Sequence, residues 1–269
     1  MKTGLLGLVL VAVAGISGAQ EREGWKLVWS DEFDKPGLPD ATKWTNEVGF
    51  VRNHEAQYYT QARKENARVE NGTLIIEGRK EEYTASDGKK SQYTAASLTT
   101  QGLFETLYGR IEVRAKLPRG RGMWPAVWML GANHSKPGFG WPKCGEIDIM
   151  EAVGHEPDKV FATVHWFGYE KGKHASLGGK LPQQKPSDDF HLYAVEWFAD
   201  RMDFYYDATK YFSYPVEKAG TDDKNPFHCP HYLLMNLAIG GGWGGQKGID
   251  DGIFPQKYVI DYVRIYKKP

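Results

Sequence analysis

The heptapeptide Arg110-Ile111-Glu112-Val113-Arg114-Ala115-Lys116 alternates without a break. Ile111, Val113 and Ala115 fall on one side of an extended chain and four charged residues on the other. A two-residue period fits a half-buried strand and no helix. Runs at 74–77, 160–167, 193–198, 202–206, 232–239 and 259–266 are rich in β-branched and aromatic residues and also read as strands. Asn71-Gly72, Asp87-Gly88 and Asp251-Gly252 punctuate them as turns. No stretch of about twelve residues keeps helical spacing without a Gly or Pro. Many short strands with turn signals predict an all-β sandwich or jelly roll. Neither a linker nor a repeat divides residues 20–269, which are expected to form one domain.

Composition narrows the function. Lys+Arg and Asp+Glu each number 34, whereas a nucleic-acid or anionic-membrane binder is expected to carry a basic excess. The 12 Phe, 15 Tyr and 9 Trp exclude disorder as a description of the chain. The two cysteines, Cys144 and Cys229, lie far apart and outside any CxxC or His-rich cluster. They are expected to be free thiols rather than a disulfide framework or a structural zinc site. At the start, Met1-Lys2-Thr3 precedes an apolar or small run over 4–16 and then Ser17-Gly18-Ala19. This reads as a secretory signal over residues 1–19, too short for a span of about 20 apolar residues. The mature chain is therefore expected outside the cytoplasm, extracellular or periplasmic, and off the membrane.

One segment concentrates chemistry. In Glu146-Ile147-Asp148-Ile149-Met150-Glu151, three carboxylates alternate with large apolar groups. Strict alternation would put Glu151 on the apolar face, which costs several kcal/mol for an unpaired charge. A β-bulge at Ile149–Met150 adds one residue to the count and returns Glu151 to the face of Glu146 and Asp148. Such a face is usually a solvated one, and calcium would draw its carboxylates from a loop. Here the neighbours are Gly122-Met123-Trp124-Pro125-Ala126-Val127-Trp128 upstream and His165-Trp166 downstream. Aromatic rings beside paired acids suit a sugar cleft. Two Glu leaning together could approach the separation of about 5–5.5 Å that a retaining glycosidase uses.

The acidic segment resembles the active-site strand of glycoside hydrolase family 16, in the Met-containing bulged form common among its endo-β-1,3-glucanases. Six further segments resemble that family in order: residues 27–33, 53–60, 108–116, 122–130, 236–241 and 261–266. The resemblance implies a concanavalin-like jelly roll of two antiparallel sheets with an open concave cleft. It implies Glu146 as an ionised nucleophile, Glu151 as a protonated acid/base, and Asp148 between them separating their pKa values. No cofactor for catalysis is expected, a polysaccharide is the expected partner, and the enzyme is expected to be monomeric.

For substrate binding the resemblance points to Trp124 and Trp128, and to Trp243 in the loop Gly241-Gly242-Trp243-Gly244-Gly245. Asn53 and His165 are expected hydroxyl partners, and Glu112 and Arg114 are expected on the cleft side of their strand. A structural Ca2+ on the convex side would fall at Glu32, Gly72 and Asp261, through backbone carbonyls and the Asp carboxylate. Asp261, among Val259, Val263 and Ile265, is an odd place for an acid, which either a metal or a salt bridge would explain. Phe50-Val51-Arg52-Asn53 departs from the Gly/Asn-rich approach usual in laminarinases, and Arg52 could favour an anionic sugar. Two alternatives remain at this point: a galactan hydrolase of the agarase or carrageenase kind, and a β-glucan-binding protein without catalysis.

Overall fold

A computed structural model describes residues 22–221 and 224–269. The expected signal segment lies outside the described residues. Seventeen strands are described. In the first half they are β1 Lys26–Asp31, β2 Thr45–Glu47, β3 Gln57–Tyr59, β4 Ala67–Glu70, β5 Thr73–Thr84, β6 Lys90–Ala95, β7 Ser97–Thr99 and β8 Gly109–Lys116. In the second half they are β9 Met123–Gly131, β10 Glu146–Glu151, β11 Val160–Gly168, β12 Lys173–Leu181, β13 His191–Trp197, β14 Arg201–Tyr206, β15 Thr209–Pro215, β16 His231–Ile239 and β17 Gln256–Lys267. Helix is confined to single turns, and no described helix is long and apolar enough to cross a membrane.

The strands form a ten-stranded sheet, in which β15-β14-β13-β8-β17-β5-β6-β3 run in order, and a seven-stranded sheet ordered β12-β11-β10-β9-β16-β7-β2. Every pairing between these strands is antiparallel except β3 with β6. The architecture is the jelly-roll sandwich expected from the period-two pattern. One continuous core lies between the sheets. Ile111, Val113 and Ala115 of β8 meet Val127 and Met129 of β9, Ile147 of β10 and Leu233, Met235 and Leu237 of β16 there. Alternation then dictates that the other face of each sheet looks outward.

That rule corrects two expectations. With Ile111, Val113 and Ala115 inward, Glu112 and Arg114 point out of the ten-stranded sheet, on the far side of the core from the acidic segment. Glu112 is 3% exposed and bonded to Arg110 (Nε to Oε2, 2.8 Å), not turned to a cleft. Arg114 donates to Asp261 Oδ2 at 2.6 Å.

Asp261 itself escapes the core through a register shift between Ile260 and Tyr262 in the pairing of β17 with β8. Tyr258 and Ile260 before it, and Val263 and Ile265 after it, all pack in the core. The extra residue rotates the acid outward to meet Arg114. Glu32 is likewise committed, holding Arg264 bidentately at 3.0 and 2.8 Å. Arg114 thus holds the one carboxylate that the expected Glu32, Gly72 and Asp261 calcium site would use, and Arg264 holds the Glu32 side chain. Gly72 serves the turn before β5, at φ +73°. Cys144 and Cys229 are both free.

Candidate active site

The bulge is present in β10. From Asp148 to Glu151 that strand advances three residues while β11 advances two, from Thr163 to Phe161. From Asp148 to Met150 it advances two while β9 advances one, from Trp128 to Val127. Ile149 pairs with neither neighbour, and Ile149 and Met150 are both fully buried in the core. The local consequence is the one the apolar pattern demands. Two large side chains go inward in succession, and Glu151 rejoins Glu146 and Asp148 on the outer face. Gly145, at φ +77°, sets the entry to the strand, and a Cβ there would come within 2.8 Å of Pro226.

Each outer acid receives an indole N–H. Trp124 Nε1 donates to Glu151 Oε1 at 2.9 Å, and Trp141 Nε1 donates to Glu146 Oε2 at 2.7 Å. Between them Asp148 is 3% exposed, opposite Trp128 on β9 and Thr163 on β11. His165 brings Nε2 to 3.1 Å from Asp148 Oδ2 and 3.9 Å from Glu146 Oε1. Its Nδ1 lies 2.9 Å from Nε2 of His174 on the edge strand β12. Trp141, 48% exposed, stands over His174 with ring centroids 4.7 Å apart. Trp243 belongs to a single helical turn, Gly241–Gly244, rather than to an irregular loop. Half-buried, it packs edge-on against Trp124 (5.7 Å, 78°) and Phe161 (4.9 Å, 76°).

Trp128 is on the same face but is not an open platform. It is 7% exposed, its Nε1 donates to Asn236 Oδ1 at 2.8 Å, and the Arg52 guanidinium covers its ring at 4.8 Å. Arg52 is in turn bonded to Glu47, whose other oxygen accepts from Ser97 Oγ at 2.6 Å. With its charge met by Glu47, Arg52 offers little to an anionic sugar. Asn53 is exposed and donates to Glu55 Oε1 at 3.2 Å. Buried Glu55 also accepts from Gln57 (2.7 Å) and Tyr59 (3.1 Å), and burial raises its carboxyl above the usual range.

Sequence reasoning missed Trp141, His174, Phe161 and Glu55. The available signal for Trp141 was a Trp beside Pro142 five residues before the first acid. His174 carried none, because the β11–β12 hairpin brings it to His165.

Burial dominates the electrostatics of the three acids. Burial, reinforced by the Asp148 charge, pushes Glu146 up to about 8, against the opposing pull of His165 and the Trp141 N–H. Burial pushes Glu151 up to about 7, with the Trp124 N–H opposing. Asp148 is held well above the usual range by burial and by the Glu151 charge. The three acids titrate as one coupled set. Both outer acids have lost water and both have one indole donor, and burial raises both carboxyls.

A stability prediction follows from the sign. Between the ordinary Glu value of 4.5 and about 8, folded Glu146 holds more proton than unfolded Glu146. Its contribution to stability is therefore lost as pH rises through that window. Glu146→Gln removes the ionisation. Its thermal midpoint should exceed that of the parent chain by about 5 °C at pH 8, and the difference should vanish near pH 5. Equal midpoints at pH 8 in scanning calorimetry would refute the raised carboxyl.

A family profile described as Glycosyl hydrolases family 16 matches residues 54–264. The chain belongs to that family. Aligned over 99% of its length, it is 44% identical to the beta-glucanase of Rhodothermus marinus and covers 94% of that protein. The structure of the laminarinase from Rhodothermus marinus superposes with a TM-score of 0.82 at 47% identity, covering 90% of this chain and 97% of the other. SCLam, a non-specific endo-beta-1,3(4)-glucanase of family 16, gives a TM-score of 0.84 at 43% identity, covering 93% and 94%. This family 16 chain is thus a glycoside hydrolase, and its catalysis needs no cofactor.

Proposed function

We propose that this chain is a retaining endo-hydrolase of β-1,3-glucans, with Glu146 as nucleophile and Glu151 as acid/base. The observation that carries the reading is the bulged β10, which sets both Glu side chains on one outer face, each held by an indole N–H. In the first step a Glu146 carboxylate oxygen attacks the anomeric carbon while the glycosidic oxygen leaves with the Glu151 proton. In the second, water attacks the glycosyl-enzyme, gives its proton to Glu151 and frees Glu146. Positive charge developing on the sugar ring beside Glu146 favours its ionised form. A nearby opposite charge lowers a carboxyl's pKa.

Trp124, Trp243 and Trp141 offer rings for sugar faces, and Asn53 and His165 offer polar atoms to hydroxyls. The Arg52–Glu47 pair favours a neutral glucan over a sulfated galactan. The similarity to the Rhodothermus marinus beta-glucanase and laminarinase and to SCLam supports the same substrate class. Export, with cleavage near Ala19, and action as a monomer belong to this proposal. The test is a panel of soluble β-1,3-glucan, mixed-linkage β-1,3-1,4-glucan, agarose and carrageenan, followed by viscosity and product sizing. The β-1,3-glucan should lose viscosity fast and yield a ladder of oligosaccharides, with mixed-linkage glucan slower. Glucose as the sole product would refute endo action, and turnover of only the galactans would overturn the specificity.

A further inference from the structure

Among the described residues, Glu146, Asp148 and His165 are the one group of three His, Cys, Asp or Glu side chains gathered closely enough to hold a metal ion, with one ligand atom from each lying within 4.8 Å of the others. Their geometry is more specific than a cluster of acids. Trp141 takes Glu146 Oε2, which leaves Oε1 on the side of His165 at 3.9 Å. Asp148 is 3% exposed, and its Oδ2 accepts no hydrogen bond although His165 Nε2 stands 3.1 Å away. When His165 Nδ1 carries the ring proton and donates it to His174, Nε2 presents a lone pair to that orphaned oxygen. Two lone-pair donors facing each other need a proton or a cation between them.

We propose that Glu146 Oε1, Asp148 Oδ2 and His165 Nε2 form a binding site for a borderline divalent ion, Zn2+ or Cu2+, and that its occupation blocks the hydrolytic centre. Ligands held tetrahedrally at about 2.0–2.1 Å stand about 3.3 Å apart; His165 Nε2 and Asp148 Oδ2, at 3.1 Å, already stand so, and Glu146 Oε1, 3.9 Å from Nε2, closes in when an ion binds. One imidazole and two carboxylates suit these ions, whereas calcium requires six or more oxygens. His174 is the outer partner that fixes the tautomer and aim of a metal-bound imidazole. The Glu146 and His165 side chains are 18% and 21% exposed, which gives an ion its way in. The blocking half of the proposal rests on the catalytic reading above, and the binding half does not.

The full chain, stripped with EDTA and desalted, is titrated with ZnCl2 by calorimetry in a non-coordinating buffer. One ion per chain should bind, and CaCl2 should give no heat at the same concentrations. His165→Ala should weaken binding by more than roughly tenfold, and His174→Phe by roughly tenfold. Bound Cu2+ should show nitrogen coupling from one imidazole in its electron paramagnetic resonance spectrum, absent in His165→Ala. Zn2+ should raise KM for a soluble β-1,3-glucan with kcat unchanged, reversibly with EDTA. No uptake at millimolar Zn2+, or a folded His165→Ala or Asp148→Asn that binds as the parent does, would overturn the site. Stoichiometric Zn2+ binding by a chain that cleaves no glucan would keep the site and overturn only the catalytic reading.

Discussion

Glu146→Ala should lower kcat on a soluble β-1,3-glucan by about four orders of magnitude or more, with the fold intact. The loss is large because no other carboxylate can replace it. Asp148, between the two Glu side chains, is shorter by one methylene and only 3% exposed. Glu151→Ala should lose roughly 10²–10⁴-fold on the same substrate, the range for removing a general acid. A dinitrophenyl glycoside, whose leaving group needs no proton, should recover glycosylation in Glu151→Ala and none in Glu146→Ala. Recovery in the opposite variant would exchange the two roles.

Deleting Met150 should leave a folded, less stable and still measurably active enzyme. Removal of one residue from the bulge makes β10 regular, Ile149 takes the place opposite Val127, and Glu151 stays on the outer face. What is lost is one fully buried side chain, about 2–5 kcal/mol, which should lower the thermal midpoint by about 10 °C. Were β10 a regular strand in the intact chain, the same deletion would turn Glu151 into the core. A variant that folds by circular dichroism but has no activity would therefore contradict the bulge.

The two bulges show what the sequence did and did not make legible. Glu151 and Asp261 break the alternation of their strands in the same way, each an acid at an apolar position. At Glu151 the conflict was readable because two more acids on the strand defined the face it had to rejoin. At Asp261 no such row exists, and the physical answer, a register shift and the Arg114 partner, depends on β8. The period of β8 also fixed which residues share a face without saying which sheet that face belongs to. Glu112 and Arg114 were therefore expected at a cleft that lies across the core from them. Trp128 shared the face of the acids as its spacing required, yet its covering by Arg52 comes from a loop about seventy-five residues earlier in the chain. Period and turn signals carried the fold, because each strand reports its own burial. Contacts between distant segments, such as Arg52 over Trp128 or His174 at His165 across the β11–β12 hairpin, left no local trace.

The roles of Glu146 and Glu151 meet in the stereochemistry of the product. Proton NMR of the first products released from a soluble β-1,3-glucan, recorded before mutarotation, reads the new anomeric centre directly. Double displacement at Glu146 gives the β-anomer first, relaxing later to the mixture. The α-anomer first would mean a single displacement by water and would remove Glu146 from its place as nucleophile.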